Sequence, residues 1–236
     1  MPGSQRNDPT VRLNDYLSAF RFYLSLDDQI TDQIVVLENS DADLSVFTSI
    51  AHELESTKKI KAINTSSNYD GRRGKGYGEF MMIDAGLRIL SNARLISPGT
   101  PIWKLTGRLI CSNLSKMIQK APPNYSVYCD LRCLPLIGDS LGGNHWMDLR
   151  IFSCSLAAYD RYFRGQYDVP GGIEKVFYSV TLGAIGGDPD IVPRFRVQPV
   201  IYGFGGFDNR DYRSASYRAK DLLRQTTRLL APFVWL

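Results

Sequence analysis

Apolar side chains recur at every second position in AFRFYLSL (19–26), where Phe20, Phe22, Leu24 and Leu26 alternate with Arg21, Tyr23 and Ser25. That period predicts a half-buried strand, with QIVVL (33–37) as its pairing neighbour. The period then changes. In DLSVFTSIAHEL (43–54), Leu44, Phe47, Ile50, Ala51 and Leu54 fall at helical spacing, and Asp41 and Asp43 are placed to cap that helix. EFMMIDAGLRILSNARLI (79–96) also reads as a helix, with Met82, Ala85, Leu87 and Ile89 apolar, and SPGTP (97–101) stops it.

WKLTGRLIC (103–111) alternates again. Trp103, Leu105, Leu109 and Cys111 share one face of the predicted strand, leaving Lys104, Thr106 and Arg108 as a basic outer face. Four further strands are predicted in YSVYCDLRCL (125–134), MDLRIFSCSLAAY (147–159), KVFYSVTLGAI (175–185) and RFRVQPVIYGF (194–204), separated by glycine or proline clusters. The second half therefore reads as mainly antiparallel sheet. From Asp211 the chain turns helical, with Tyr212, Ala215, Ala219, Leu222, Thr226, Leu229 and Phe233 on one stripe and Arg213, Arg224 and Arg228 off it. An amphipathic helix of this kind most often packs its apolar stripe onto its own protein and leaves the arginines outward.

These elements make an α+β fold: a twisted antiparallel sheet packed with two or three helices and closed by a basic C-terminal helix. Residues 1–12, MPGSQRNDPTVR, are expected to form a flexible arm, and 13–236 a single domain. With 44% of 236 residues hydrophobic, the chain can bury a sizeable core.

Charge changes the picture more than composition does. The net charge of +4 conceals an acidic N-terminal quarter, including Asp27, Asp28, Asp32, Glu53 and Glu55, and a basic remainder. KKIKAINTSSNYDGRRGKGYGEF (58–80) reads as a long mobile basic loop. Arg72, Arg73 and Lys75 from that loop, with Arg213, Arg224 and Arg228 from the last helix, are the expected contacts to a membrane surface or to phosphate. Sequence balance alone leaves lipid headgroups and nucleic acid open.

Candidate chemistry is sparse. The two histidines, His52 and His145, sit in a helix pattern and in a glycine-rich loop, and no G-x-S-x-G, Walker loop or H-E-x-x-H occurs. On one strand Cys129 and Cys133 would lie about 13 Å apart, whereas two thiolates on one zinc lie within about 4.6 Å. Asp188 and Asp190 suit a turn better than a cation. The glycine-rich GRRGKGYG (71–78) could approach phosphate, but it follows no predicted strand. No catalytic residue, metal site or cofactor is expected, and the four cysteines, without a signal peptide, are expected to be reduced thiols in a cytosolic setting. Pro122, Pro123 and Tyr125 spell PPxY, a motif that docks into WW domains. Because Val127, Cys129 and Leu131 follow as inward positions of a strand, PPNY is expected to lead into that strand more than to be displayed.

The order of two segments adds a resemblance. TPIWKLTGRLICSNLSK followed by PPNYSVYCDLRCLP resembles the central part of rhabdovirus matrix proteins of the vesiculovirus type: Pro101, Trp103, Lys104, Leu105, Ser112, Asn113, Leu114 and Lys116, then Pro123, Tyr125, Cys129, Arg132, Leu134 and Pro135. The resemblance implies a non-enzymatic viral structural protein in the virion, the host cytoplasm, the inner face of host membranes and also the nucleus. Its implied partners are an anionic membrane surface, viral nucleoprotein–RNA, further copies of itself, and host WW-domain or gene-expression factors. Two features depart from that family: the N-terminus is not lysine-rich, and the arginine-bearing C-terminus has no clear counterpart. The alternative from the same charges is an RNA-binding capsid or nucleocapsid-type protein, with tyrosines such as Tyr69 and Tyr77 stacking on bases. An enzyme with an unrecognised site is the third.

Overall fold

A computed structural model describes residues 8–39, 42–65, 71–134, 144–168, 172–205 and 210–231. The chain is α+β. Seven helices are described: α1 (Pro9–Leu24), α2 (Ser45–Glu53), α3 (Lys75–Asn92), α4 (Leu114–Gln119), α5 (Leu156–Ala158), α6 (Ile173–Ala184) and α7 (Ala215–Leu230). The strands are β1 (Gln33–Glu38), β2 (Lys59–Asn64), β3 (Pro101–Leu105), β4 (Ile110–Cys111), β5 (Val127–Tyr128), β6 (Leu131–Arg132), β7 (Trp146–Met147), β8 (Ile151–Ser155), β9 (Ile191–Val192) and β10 (Ile201–Tyr202). They form a four-stranded sheet in the order β3-β8-β5-β9 and three strand pairs, β1-β2, β4-β10 and β6-β7.

The N-terminal third corrects the reading of the first strand. Asp8 caps α1 by accepting from the backbone N–H of Thr10 at 2.8 Å and of Val11 at 3.2 Å, and Pro9 stands in the first turn, where its missing N–H costs nothing. The expected arm therefore gives way to helix from residue 9, while residues 1–7 lie outside the described residues. Phe20 and Leu24 are buried at i, i+4, which a helix satisfies as well as alternation does. Deprived of that partner, β1 pairs in parallel with β2, in the register Ile34↔Ile60 and Leu37↔Ile63, across the α2 crossover. The expected loop thus contains a strand, whose exposed Lys59 and Lys61 alternate with Ile60 and Ala62.

This pair is covered on both faces. Ile34, Val36 and Ile60 meet Phe20, Leu24, Phe47 and Ile50 of α1 and α2, while Val35, Leu37 and Ile63 meet the main core under α3. Gly86 permits the close approach of α3, since a Cβ there would lie 2.5 Å from Leu37 Cδ2. The capping role given to Asp43 is partly met by its acceptance from the Ser45 N–H at 2.8 Å; Asp41 lies outside the described residues.

Three predicted strands are interrupted, YSVYCDLRCL dividing into β5 of the four-stranded sheet and β6 of the β6-β7 pair. After β3 the chain turns at Thr106–Leu109, and β4 joins β10 in a separate pair. Lys104 is consequently buried rather than outward, its ammonium 2.6 Å from Glu79 and bonded to the carbonyl of Leu149. β8 ends at Ser155, and Leu156–Phe163 continue as α5 and one π-helical turn. KVFYSVTLGAI is not a strand at all but most of α6. Ile173, Phe177, Tyr178 and Thr181 are its buried positions, so the 3.6-residue period overrides its β-branched composition. RFRVQPVIYGF is mostly irregular, with only β10 in it, and β5-β9 is parallel, so the second half holds less antiparallel sheet than expected.

The main core gathers Phe80, Phe152, Phe163 and Phe177, with the Phe80–Phe177 and Phe163–Phe177 ring centroids both 4.6 Å apart. A second cluster joins Cys111, Leu114, Met117, Tyr128, Ile151 and Phe195. Residues 127–132 run between the two, buried on both sides: Val127, Cys129 and Leu131 enter the main core, and Tyr128 enters the second. That leaves Asp130 and Arg132 as buried charges.

Candidate functional surface

Buried charge must be compensated where it stands. Asp130 and Arg132 begin a chain of alternating charges: Asp130 Oδ2 lies 2.5 Å from Arg228 and 3.5 Å from Arg132, Arg132 lies 3.1 Å from Asp148, and Asp148 lies 2.5 Å from Arg150. Burial works against both charges of the last pair. The attraction and hydrogen bonds between them prevail, holding the Asp148 carboxyl well below the usual carboxylate range and raising Arg150 well above its ordinary value.

This network is what holds α7. Arg228 also donates to the Gln198 side chain and to the Phe195 carbonyl, both at 2.7 Å, and Arg150 donates to the Tyr217 hydroxyl. Arg224 is 3.1 Å from Asp221, whose carboxyl burial pushes above its ordinary value against the pull of Arg224. Tyr217, Asp221, Arg224 and Arg228 fall at i, i+4, i+7 and i+11, one helical face, and that face is polar and turned inward.

The orientation is the reverse of the one predicted from the stripe. Arg224 and Arg228 are engaged with the body of the protein, while Leu222, Leu223, Leu229 and Leu230 stand outward at 65%, 58%, 77% and 79% exposure. Ala215, Ala219 and Thr226 complete the apolar face, and exposed Arg218 and Lys220 border it on either side. No acid shares this face among the described residues, since Asp221 belongs to the opposite one. Phe233 of the expected stripe lies outside the described residues.

The other predicted contacts separate. Arg73 pairs with Asp168, bonds the Tyr77 hydroxyl at 2.9 Å and lies 4.1 Å from the centre of the Tyr77 ring. Tyr77 is thereby occupied, and Tyr69 lies outside the described residues. Arg72 is exposed on the 3₁₀ turn Gly71–Arg73. Lys75 is half-buried in the first turn of α3, and burial first, then Arg108 and Arg12 nearby, lower its pKa. Arg108 in turn donates to the Phe204 carbonyl at 3.2 Å, and the Arg213 guanidinium lies 5.6 Å from the Phe204 ring while pairing with Asp211. Lys75 and Arg213 are thus linked through Arg108 and Phe204, a neighbourhood that no sequence spacing announced.

Tyr125 of PPNY is half-buried. Its hydroxyl is 2.7 Å from Ser153 Oγ and its ring 5.4 Å from Tyr128, while Asn124 turns the chain with φ of 57°. Pro122 and Pro123 lead into β5 from the surface. Cys111, Cys129 and Cys154 are buried free thiols, and burial pushes Cys111 up to about 12 and the other two upward as well. His52 is exposed on α2, and His145 lies 5.5 Å from the Tyr178 ring. Asp188 accepts from Tyr162 at 2.9 Å and from the Asp190 N–H at 3.0 Å, as a turn residue does.

No group of three or more metal-ligating side chains occurs among the described residues, and no helix among them is long and apolar enough to cross a membrane. Comparison with protein families, with curated proteins and with solved structures finds no match.

Proposed function

We propose that this chain is a non-enzymatic structural protein of the viral matrix type, which attaches to the inner face of an anionic membrane and joins it to nucleoprotein–RNA and to further copies of itself. The single observation that carries the reading is the outward apolar face of α7. A helix held to its own protein by charges, with leucines turned to solvent and cations at their margins, matches the interfacial helices that lie in the headgroup plane. Each leucine side chain fully transferred from water contributes about 1.5–3 kcal/mol, and each cation near an anionic surface about 1 kcal/mol. Together they support reversible, salt-sensitive attachment.

Flotation with anionic and neutral vesicles at low and high salt tests the reading. Attachment to anionic vesicles that fades with salt, and that falls when Leu222, Leu223 and Leu230 are changed to glutamine, is expected. RNA retention without flotation would move the assignment to the capsid class, which the basic remainder of the chain also fits.

A further inference from the structure

The floor laid down by Arg228 supports a second feature. An open groove of 380 Å³ runs between α4, the 196–198 segment and α7, and Lys116, Lys120 and Arg196 line it together with Gln119, Gln225 and Leu229. No carboxylate among the described residues lines it. Lys116, Lys120 and Arg196 are all exposed and form no ion pair with a described carboxylate, whereas Arg228 at the base is committed to Asp130, Gln198 and the Phe195 carbonyl. Three cations without a described countercharge therefore converge on one concavity.

The groove is also built on fixed parts. Met117, between the two lysines, is fully buried and anchors α4, and the Arg196 N–H donates to the buried Tyr128 hydroxyl at 2.7 Å. Like charges held together repel one another, and a concave wall focuses their field outward. A ligand relieves both if it brings several negative charges in one compact group. A phosphomonoester does so, carrying about −1.5 to −2 with three acceptor oxygens, for which two amides and three cations supply donors.

We propose that this groove is a phosphomonoester-binding site. Leu229 lines the groove and belongs to the outward face of α7, so a phosphorylated lipid headgroup in the groove would lie beside the leucines that enter the membrane; this placement rests on the membrane reading above. A soluble phosphorylated metabolite offers the same chemistry.

The test uses the full chain and its Lys116→Gln/Lys120→Gln/Arg196→Gln variant, with inositol trisphosphate as the soluble probe in calorimetry. Flotation on phosphatidylcholine vesicles carrying either phosphatidylserine or a phosphoinositide runs in parallel. Binding of the soluble probe by the wild-type chain, weakened on the order of tenfold or more in the variant, is expected. A preference for phosphoinositide vesicles that the variant loses assigns the phosphate to a lipid, whereas probe binding without that preference assigns it to a soluble ligand. Absent or undiminished probe binding overturns the groove, and so does loss of RNA retention in the variant where the probe never bound. The two readings fail separately: flotation abolished only by changing Leu222, Leu223 and Leu230, with probe binding unchanged in the Lys116→Gln/Lys120→Gln/Arg196→Gln variant, leaves the membrane reading without the groove. Probe binding with no flotation leaves the groove without the membrane reading.

Discussion

Arg228 Nη2 lies 2.5 Å from Asp130 Oδ2, with both side chains almost wholly buried and the two residues 98 positions apart in sequence. The pair fixes which way α7 faces. Removing one partner leaves a buried charge uncompensated, a loss of about 3–5 kcal/mol. Arg228→Met is therefore expected to lower unfolding free energy by about that much in urea titration, and Arg228→Met with Asp130→Leu to recover a large part of it. Equal losses in the single and double variants would show that the charge pair is not what holds the helix.

The outward leucines make the opposite expectation for stability. Leu222, Leu223 and Leu230 already stand in solvent, so changing them to glutamine is expected to shift the unfolding free energy by no more than about 0.5 kcal/mol each while removing vesicle attachment. A large fall in melting temperature would mean that they pack against the protein.

Acid sensitivity follows from Asp148. Its folded pKa lies below the unfolded value of 3.8, so its contribution to stability is fully present above that value and is lost as pH falls towards the folded pKa. Stability is expected to drop as pH falls below about 4. Asp148→Asn should be less stable at neutral pH by several kcal/mol and should show a flatter acid limb, read from urea titrations at a series of pH values.

At PPNY the docked ring sets the outcome. Tyr125→Phe removes the hydroxyl bonded to Ser153 and is expected to cost about 1 kcal/mol, whereas Tyr125→Ala, which also opens the second cluster, should cost about 3–5 kcal/mol. Replacing Pro122, Pro123 and Tyr125 together by alanine should lower the melting temperature. Capture by a WW domain that the alanine variant loses at an unchanged melting temperature would instead assign the motif to a WW partner.

Thiol accessibility provides a further check. Cys111, Cys129 and Cys154 are buried with raised pKa values, and Cys133 is half-exposed. One thiol is expected to react promptly with a water-soluble disulfide reagent near neutral pH and the other three only on unfolding. Prompt labelling of all four would contradict the packing of 127–133 between the clusters.

Part of this protein was legible along the chain because it depends on neighbours a few residues away. The α+β class, the α2 period, the Val127–Cys129–Leu131 face and the helix after Asp211 follow from local spacing and capping; α3 was legible as a helix, but it runs from Lys75 to Asn92, and of the apolar positions read for it Leu87 is buried whereas Ile89 is exposed. Short apolar runs were ambiguous for the same reason. Phe20 and Leu24 satisfy a two-residue and a four-residue period at once, and the β-branched residues of α6 suit a strand until Phe177 and Tyr178 find the main core. The candidate surface was legible only in its parts, since the arginines and leucines of α7 could be counted but not oriented. Tertiary structure decided that orientation, because Asp130 and Arg132 are buried between two clusters and need countercharge from above. Arg228 supplies that countercharge to Asp130, and with the arginine face of the helix turned inward the leucines of the opposite face stand outward. Lys116, Lys120 and Arg196 share a groove for a related reason: Met117 and Tyr128 anchor their segments in one cluster, a proximity between residues 76 and 80 positions apart that no local pattern encodes.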